Sequence, residues 1–245
     1  MSRAGRSATV GVVAGFRAET RWLRGQDVRV GYSGGSAERA RSEAERFVAE
    51  GAAALVSFGL AGGLAAELRP GDLLLPAVVR DAAGASWSVD PIWRERIYAR
   101  LAARGLEPKA GTLVGSDRVV PTASDKRALL RATGAQAVDM ESHQVAAIAS
   151  GAGLPFLVVR ALADPCDQVV PQVAREALRP DGRIRLRATL GGLFRQPGEL
   201  MALLRLARQS ARGLASLRRA AALAGPEFGF HFSRVADEAD SLQAT

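Results

Sequence analysis

Ala54-Leu55-Val56-Ser57-Phe58-Gly59-Leu60-Ala61-Gly62-Gly63 is an apolar run that ends in three glycines within five residues. Residues 54–58 read as a short strand buried on both faces, and residues 59–63 as the glycine-rich turn that follows it. The same alternation continues on either side. Strands are expected at Thr9–Ala14, Val28–Tyr32, 72–79, 111–115, 135–139 and 156–160, and helices at 19–24, 37–50, 91–104, 124–132 and 141–152. Continuous apolar strands separated by amphipathic helices specify an α/β fold, a three-layer α/β/α sandwich around a central mixed, mostly parallel sheet.

Ligands of such sheets sit beyond the carboxyl ends of the strands, so the residues after each strand are the candidates for a site. Gly15-Phe16-Arg17-Ala18-Glu19 follows the first strand and Ser33-Gly34-Gly35-Ser36 the second. Met140-Glu141 follows the strand ending at Asp139, and Ala161-Leu162-Ala163-Asp164-Pro165 the one ending at Arg160. Three glycine-rich turns and two acidic strand ends are therefore expected along one sheet edge. Taken singly, each has a plainer reading: glycines serve turns, Asp139 and Glu141 complement a helix start, and Asp164 stabilises a turn before Pro165. By the same standard Glu19 is a solvated residue of a first helical turn and His143 a packed or surface histidine.

Composition narrows the classes. The chain has 245 residues, 48% hydrophobic and 5% aromatic, as one ordinary globular domain requires. No apolar run approaches the roughly 20 residues that span a bilayer. The opening MSRAGRSATVGVVAG lacks the apolar stretch and cleavage site of a secretory signal, and a cytoplasmic location is expected. One cysteine, Cys166, and two histidines supply neither a disulfide nor a zinc cluster, so no metal and no organic cofactor are expected.

The net charge of +8 is localised: residues 174–221 hold eleven arginines against three acids, whereas the rest of the chain balances. One domain is expected over residues 1–224, including this basic segment (174–222), with a polar tail over 225–245. Within the segment, residues 199–222 read as an amphipathic helix whose leucines are interspersed with arginines. Two readings stay open: the arginines rest on an anionic membrane surface, or the leucines dock on the domain and the arginines are solvated. Nucleic acid is not an expected partner, because the segment lacks interleaved aromatics and any recognised binding module.

Together these turns resemble, in order and spacing, the motifs of the purine nucleoside phosphorylase and methylthioadenosine/S-adenosylhomocysteine nucleosidase superfamily. The resemblance covers roughly residues 9–170. Val56-Ser57-Phe58-Gly59-Leu60-Ala61-Gly62-Gly63-Leu64 is similar to its glycine motif, Val138-Asp139-Met140-Glu141 to its ribose-binding segment, and Val159-Arg160-Ala161-Leu162-Ala163-Asp164 to its purine-binding segment. The arginine-rich extension, with Pro180-Asp181-Gly182-Arg183 and Phe194-Arg195-Gln196-Pro197-Gly198, resembles the hopanoid-associated phosphorylase branch, which implies adenosylhopane as substrate.

The resemblance implies purine release from a 5′-substituted adenosine. Breaking that N-glycosidic bond builds positive charge on the ribose and negative charge on the base. The resemblance assigns Asp164 as the acid that protonates the base, Glu141 as the acceptor for ribose hydroxyls, Met140 under the sugar, and Glu19 as the carboxylate that activates water. Asp139, Val119, Val120, Phe16, Gly62 and Gly63 complete the expected substrate contacts. Phosphate, as a possible co-substrate, would be held by Gly34, Gly35 and Arg17. Relatives often carry serine or threonine where Leu60 stands and serine where Ala163 stands. These departures leave hydrolysis and phosphorolysis both open, and leave Asp164 to be held in another way. A soluble methylthioadenosine or adenosylhomocysteine nucleosidase, and a catalytically silent nucleoside- or membrane-binding protein, are the alternatives. A homo-oligomer is implied by resemblance alone.

Overall fold

The structure, a computed structural model, describes residues 9–23, 27–172 and 199–230. Its strands are β1 (Thr9–Ala14), β2 (Val28–Tyr32), β3 (Ala52–Gly63), β4 (Leu73–Leu74), β5 (Val78–Asp81), β6 (Ser86–Ser88), β7 (Thr112–Gly115), β8 (Ala137–Asp139) and β9 (Phe156–Asp164). Its helices are α1 (Arg17–Thr20), α2 (Ala37–Ala49), α3 (Pro91–Ala102), α4 (Ala123–Thr133), α5 (Ser142–Gly151) and α6 (Leu200–Ala224), followed by a 3-10 turn at Pro226–Gly229.

The strands form one sheet in the order β2-β1-β3-β8-β7-β5-β6, with β9 joined to β3 and β4. The β1–β2, β1–β3, β3–β9, β5–β7 and β7–β8 pairings are parallel; β3–β8, β4–β9 and β5–β6 are antiparallel. Helices α2 and α5 pack together on the sheet, while α6 lies against β9 with α3 and α1 beside it. This is the three-layer sandwich with a mixed, mostly parallel sheet that the sequence specifies. Val10, Val12, Leu55, Val56, Phe58, Leu157 and Val158 are buried in the core, which is why their strands carry no polar alternation.

The glycine stretch departs from expectation. Residues 59–63 are not a turn but the second half of β3, paired with β9 and, at Gly62 and Gly63, with β8. The glycines there admit close neighbours. A Cβ on Gly59 would lie 2.5 Å from Arg160 Nη1 and 3.0 Å from Glu19 Cδ, so β3 can carry these side chains across its face only where it lacks its own. The β3–β9 register shifts between Ala61 and Gly62, so that Gly62 pairs with Asp164 and Ala163 is skipped. Such a bulge re-aims the side chain that follows it.

Other boundaries move for identifiable reasons. The strand expected at 72–79 breaks into β4 and β5 around Pro76, which offers no amide to a ladder. The helix expected at 19–24 is a single turn that begins at Arg17, and residues 24–26 lie outside the described part.

The largest difference is at the C-terminal end, where the sequence predicts that a polar tail starts at residue 225. Residues 225–230 pack into the fold: Phe228 is fully buried and meets Phe58 edge-on at 5.3 Å, and Trp93 Nε1 donates to Phe228 O at 2.7 Å. Residues 231–245 lie outside the described part, as do residues 173–198 of the basic segment. The second half of α6 docks through Gly213, Leu217, Ala220, Ala221 and Ala224. Its first turn instead leaves Leu200, Met201 and Leu204 exposed.

Candidate active site

The loops after β1 and β2, the end of β3, the start of α5 and the end of β9 enclose a cleft of about 180 Å³. Phe16, Glu19, Gly35, Gly62, Val119, Val120, Asp139, Met140, Glu141 and Asp164 line it, as the sequence places them. Gly63, Gly34 and Arg17 are not among the lining residues. Gly63 is buried against the Asp164 carbonyl: its Cβ would lie 3.2 Å from Asp164 O.

The floor of the cleft is a buried charge cluster built around Arg160, which has no exposed surface. Its Nε lies 2.7 Å from Asp139 Oδ2 and its Nη2 3.2 Å from Glu141 Oε2; Nη2 also donates to Ser57 Oγ at 2.6 Å. Asp139 is thereby occupied. Its Oδ2 also accepts from Ser142 Oγ, and its Oδ1 accepts from the amides of Glu141 and Ser142 at the start of α5. Asp139, expected among the substrate contacts, therefore anchors Arg160 and the helix start, and its carboxylate has no oxygen to spare for a ligand.

Glu141 receives one hydrogen bond from Ser33 Oγ, at 3.1 Å. Burial raises its pKa; Arg160 opposes this and the charges of Asp139 and Glu19 reinforce it, leaving Glu141 at about 7. Glu19 is buried too. Its Oε2 accepts from Phe16 N at 2.8 Å and its Oε1 from Leu60 N at 2.9 Å. Burial raises the Glu19 pKa, against the Arg160 charge and these backbone donors. The solvated reading of Glu19 is thus overturned. The bond from Leu60 comes from the backbone, so the leucine side chain at that position does not disturb it. The two carboxylates converge: an atom at the Cβ position of Gly15 would be 3.2 Å from Glu141 Oε1 and 3.3 Å from Glu19 Oε2.

On the opposite wall, Asp164 Oδ2 accepts a hydrogen bond from Lys126 Nζ, and Lys126 is itself almost completely buried. Burial raises the Asp164 pKa and the neighbouring ammonium lowers it. The carboxyl stands 3.4 Å from where a Cβ of Gly62 would be, so it lies directly against the β3 backbone at this position.

The loop expected to hold phosphate has no free amides. Gly34 N donates to Gly15 O at 2.9 Å, Gly35 N to Ser33 Oγ at 3.1 Å, and Ser36 N to Ser33 O at 3.3 Å. Arg17 lies with its guanidinium 4.9 Å from the centroid of the Tyr32 ring. The positive φ of Gly34 (64°) and Gly35 (76°) closes this turn on its own serine, and Ser33 in turn holds Glu141. The loop serves the carboxylate instead of forming an anion cradle.

Sequence reasoning missed Arg160, Lys126 and Ser33 as parts of the site. Arg160 was detectable as an arginine inside a Val-Val-Arg-Ala-Leu strand, a buried charge that demands acids. Lys126 gave no such signal, because Ser124-Asp125-Lys126-Arg127 has the look of an exposed helix start.

A family model described as the phosphorylase superfamily matches residues 4–181. No curated protein sequence matches the chain. Among solved structures, futalosine hydrolase of Helicobacter pylori aligns with a TM-score of 0.64 at 16% identity, over 87% of this chain and 97% of that one. The 5′-methylthioadenosine/S-adenosylhomocysteine nucleosidase of the same organism, bound to butyl-thio-DADMe-Immucillin-A, aligns at 0.65 and 15% over 88% and 98%. The S-adenosylhomocysteine nucleosidase of Streptococcus pyogenes aligns at 0.63 and 18% over 89% and 97%. These likenesses show the same fold, and with the family match covering most of the sequence, the chain belongs to the phosphorylase superfamily.

Proposed function

We propose that the protein hydrolyses the N-glycosidic bond of a 5′-substituted adenosine and releases adenine. The observation that carries this reading is the pair of converging carboxylates, Glu19 and Glu141, on a floor whose cation, Arg160, is engaged by Asp139, Glu141 and Ser57. A phosphate dianion there would meet two acids and no free donor from the Gly34–Gly35 turn, with Arg118 at the cleft wall as its cation; a water molecule meets a base. Glu19, held by two amides and with its pKa raised by burial, takes a proton from water as oxygen attacks the anomeric carbon. Glu141 accepts the ribose hydroxyls. Asp164 gives its proton to N7 of the base as the carbon–nitrogen electron pair departs with adenine.

The substrate we favour is adenosylhopane, or another adenosine with an apolar 5′ extension. Val170 lines the cleft and Val169 beside it is exposed. The amide of Gln172 donates to Glu199 Oε1 at 3.3 Å, tying this segment to the start of α6, where Leu200, Met201 and Leu204 face outward. Arg205, Arg208, Arg212, Arg218 and Arg219 are exposed along the same helix, which contains no acid. Each would add about 1 kcal/mol of attraction to an anionic leaflet. We read the protein as a cytoplasmic homo-oligomer with peripheral membrane contact; no described helix is long and apolar enough to cross a membrane.

The test is adenine release from adenosylhopane, 5′-methylthioadenosine and S-adenosylhomocysteine in ¹⁸O-labelled water, with and without phosphate. Label in the freed ribose, independent of phosphate, supports hydrolysis. A ribose 1-phosphate formed only with phosphate overturns it, and no release from any substrate favours a silent binding protein. Preference for the water-soluble substrates would make it a methylthioadenosine or adenosylhomocysteine nucleosidase.

A further inference from the structure

Lys126 is 1% exposed and is the one fully buried residue of α4. A lysine is almost never this buried without a partner. Its ammonium has three protons and three acceptors: Asp164 Oδ2, Pro165 O at 2.8 Å and Gln168 O at 3.2 Å. No donor is left for a ligand. Asp164 Oδ1, in contrast, accepts no hydrogen bond among the described residues, and its carboxyl borders the cleft. The lysine thus grips one oxygen of a carboxyl that lines the cleft, and the other keeps its lone pairs and proton position free among the described residues.

We propose that Lys126 is a positioning residue for Asp164, fixing the aim and the charge environment from which that carboxyl protonates the departing base. The inference rests on the cleavage reading given above. It answers the question left by Ala163: a side chain from helix α4 holds the acid where the neighbouring position in β9 offers only a methyl group.

The bookkeeping of protons is simple. The proton on Asp164 Oδ1 passes to N7 while the glycosidic electron pair goes to the base, and the carboxylate left behind is at that moment paired with the Lys126 ammonium. The acid is reprotonated from solvent after adenine leaves. Burial alone would keep the proton on Asp164 but make it reluctant to leave; the ammonium counteracts this by stabilising the conjugate base. Lys126 also ties α4 to the loop after β9, which brings Val119 and Val120 at one end and Val170 at the other to the same wall of the cleft.

The experiment uses the full chain, wild-type and the Lys126→Met and Lys126→Arg variants. It compares the best adenosine substrate with a 4-nitrophenyl riboside carrying the same 5′ group, whose leaving group departs without a proton. On the adenosine substrate Lys126→Met is expected to lower kcat by roughly 10- to 100-fold, part of what a general acid contributes. The alkaline limb of its kcat/KM profile is expected to move up by about one to three pH units, because removing the cation raises the pKa of Asp164 and activity requires its protonated form. On the nitrophenyl riboside the variant should stay within about threefold of wild-type, since the acid has no part in that reaction. Lys126→Arg, which keeps the charge, should retain the wild-type limb.

An equal loss on both substrates, in both variants, would reduce Lys126 to a folding role and overturn the proposal. So would a Lys126→Met profile that superimposes on wild-type. Those failures are read against a wild-type enzyme that cleaves; a wild-type protein that cleaves neither substrate refutes the cleavage reading itself and takes this inference with it.

Discussion

Replacing Arg160 with methionine removes the cation from a floor that holds three buried acids. The guanidinium contacts Asp139 at 2.7 Å and Glu141 at 3.2 Å, and its charge opposes the burial of Glu19. Methionine preserves much of the volume, so the loss is electrostatic and hydrogen-bonded more than steric. Breaking a buried pair by deleting one partner costs about 3–5 kcal/mol. The cost must also depend on pH. Glu141 already has a folded-state pKa raised from 4.5 to about 7, so its stabilising contribution is full below its unfolded value and is lost as pH rises through 7. Without Arg160 the folded pKa values of Glu141 and Glu19 rise further. The penalty is then largest at pH 8; at pH 5, where Glu141 is mostly protonated, the share owed to Glu141 shrinks to its lost hydrogen bond, about 1–2 kcal/mol, while the 2.7 Å contact to Asp139 is lost at both pH values. Urea unfolding of both proteins at the two pH values checks this: the midpoint at pH 8 should fall by about 1–2 M, and by less at pH 5. A penalty of equal size at both pH values, or none at pH 8, would refute the assignment of Arg160 as the counter-charge of this cluster.

Glu19→Gln keeps the size of the side chain but presents an amide to one of the two backbone donors, and it should lower kcat by about 100- to 10,000-fold with phosphate giving no rescue, as read by adenine release. Gly59→Ala places a methyl 2.5 Å from Arg160 Nη1; thermal unfolding should show a loss of about 1–3 kcal/mol, with activity falling as Glu19 and Arg160 are displaced. Phe228→Ala empties a fully buried site against Phe58 and should cost about 3–5 kcal/mol by chemical denaturation, whereas a true tail would lose nothing.

The hydrophobic pattern carries most of the layer architecture, because a strand buried on both faces must be apolar throughout and a helix covering it must be apolar on one side. That is why Thr9–Ala14, Val28–Tyr32 and the α2, α3 and α5 helices are legible without coordinates. The acids Glu141 and Asp164 stand at strand ends and Glu19 in the turn after β1, but the residue pattern alone reads them as helix-start, turn and surface residues, and only the family resemblance singles them out. The reach of β3 through its glycines is not legible, because its partners lie about 100 positions away in β9 and about 75 positions away in β8. Local glycine content favours a turn, and only the tertiary ladder reverses it. Phe228 and Phe230 gave a tail-like reading for the same kind of reason: two aromatics in a polar stretch mean little until Trp93 is found beneath them.

The order of elements along the chain and the covered sheet were thus written in the sequence, since they depend on local periodicity. The tertiary structure decided which charges neutralise one another. Arg160 is set against Asp139 and Glu141, Lys126 against Asp164, and the Gly34–Gly35 turn against its own Ser33. The reason is physical: a carboxylate's proton affinity depends on burial and on charges within a few ångströms, and those neighbours come from strands and helices far away along the chain.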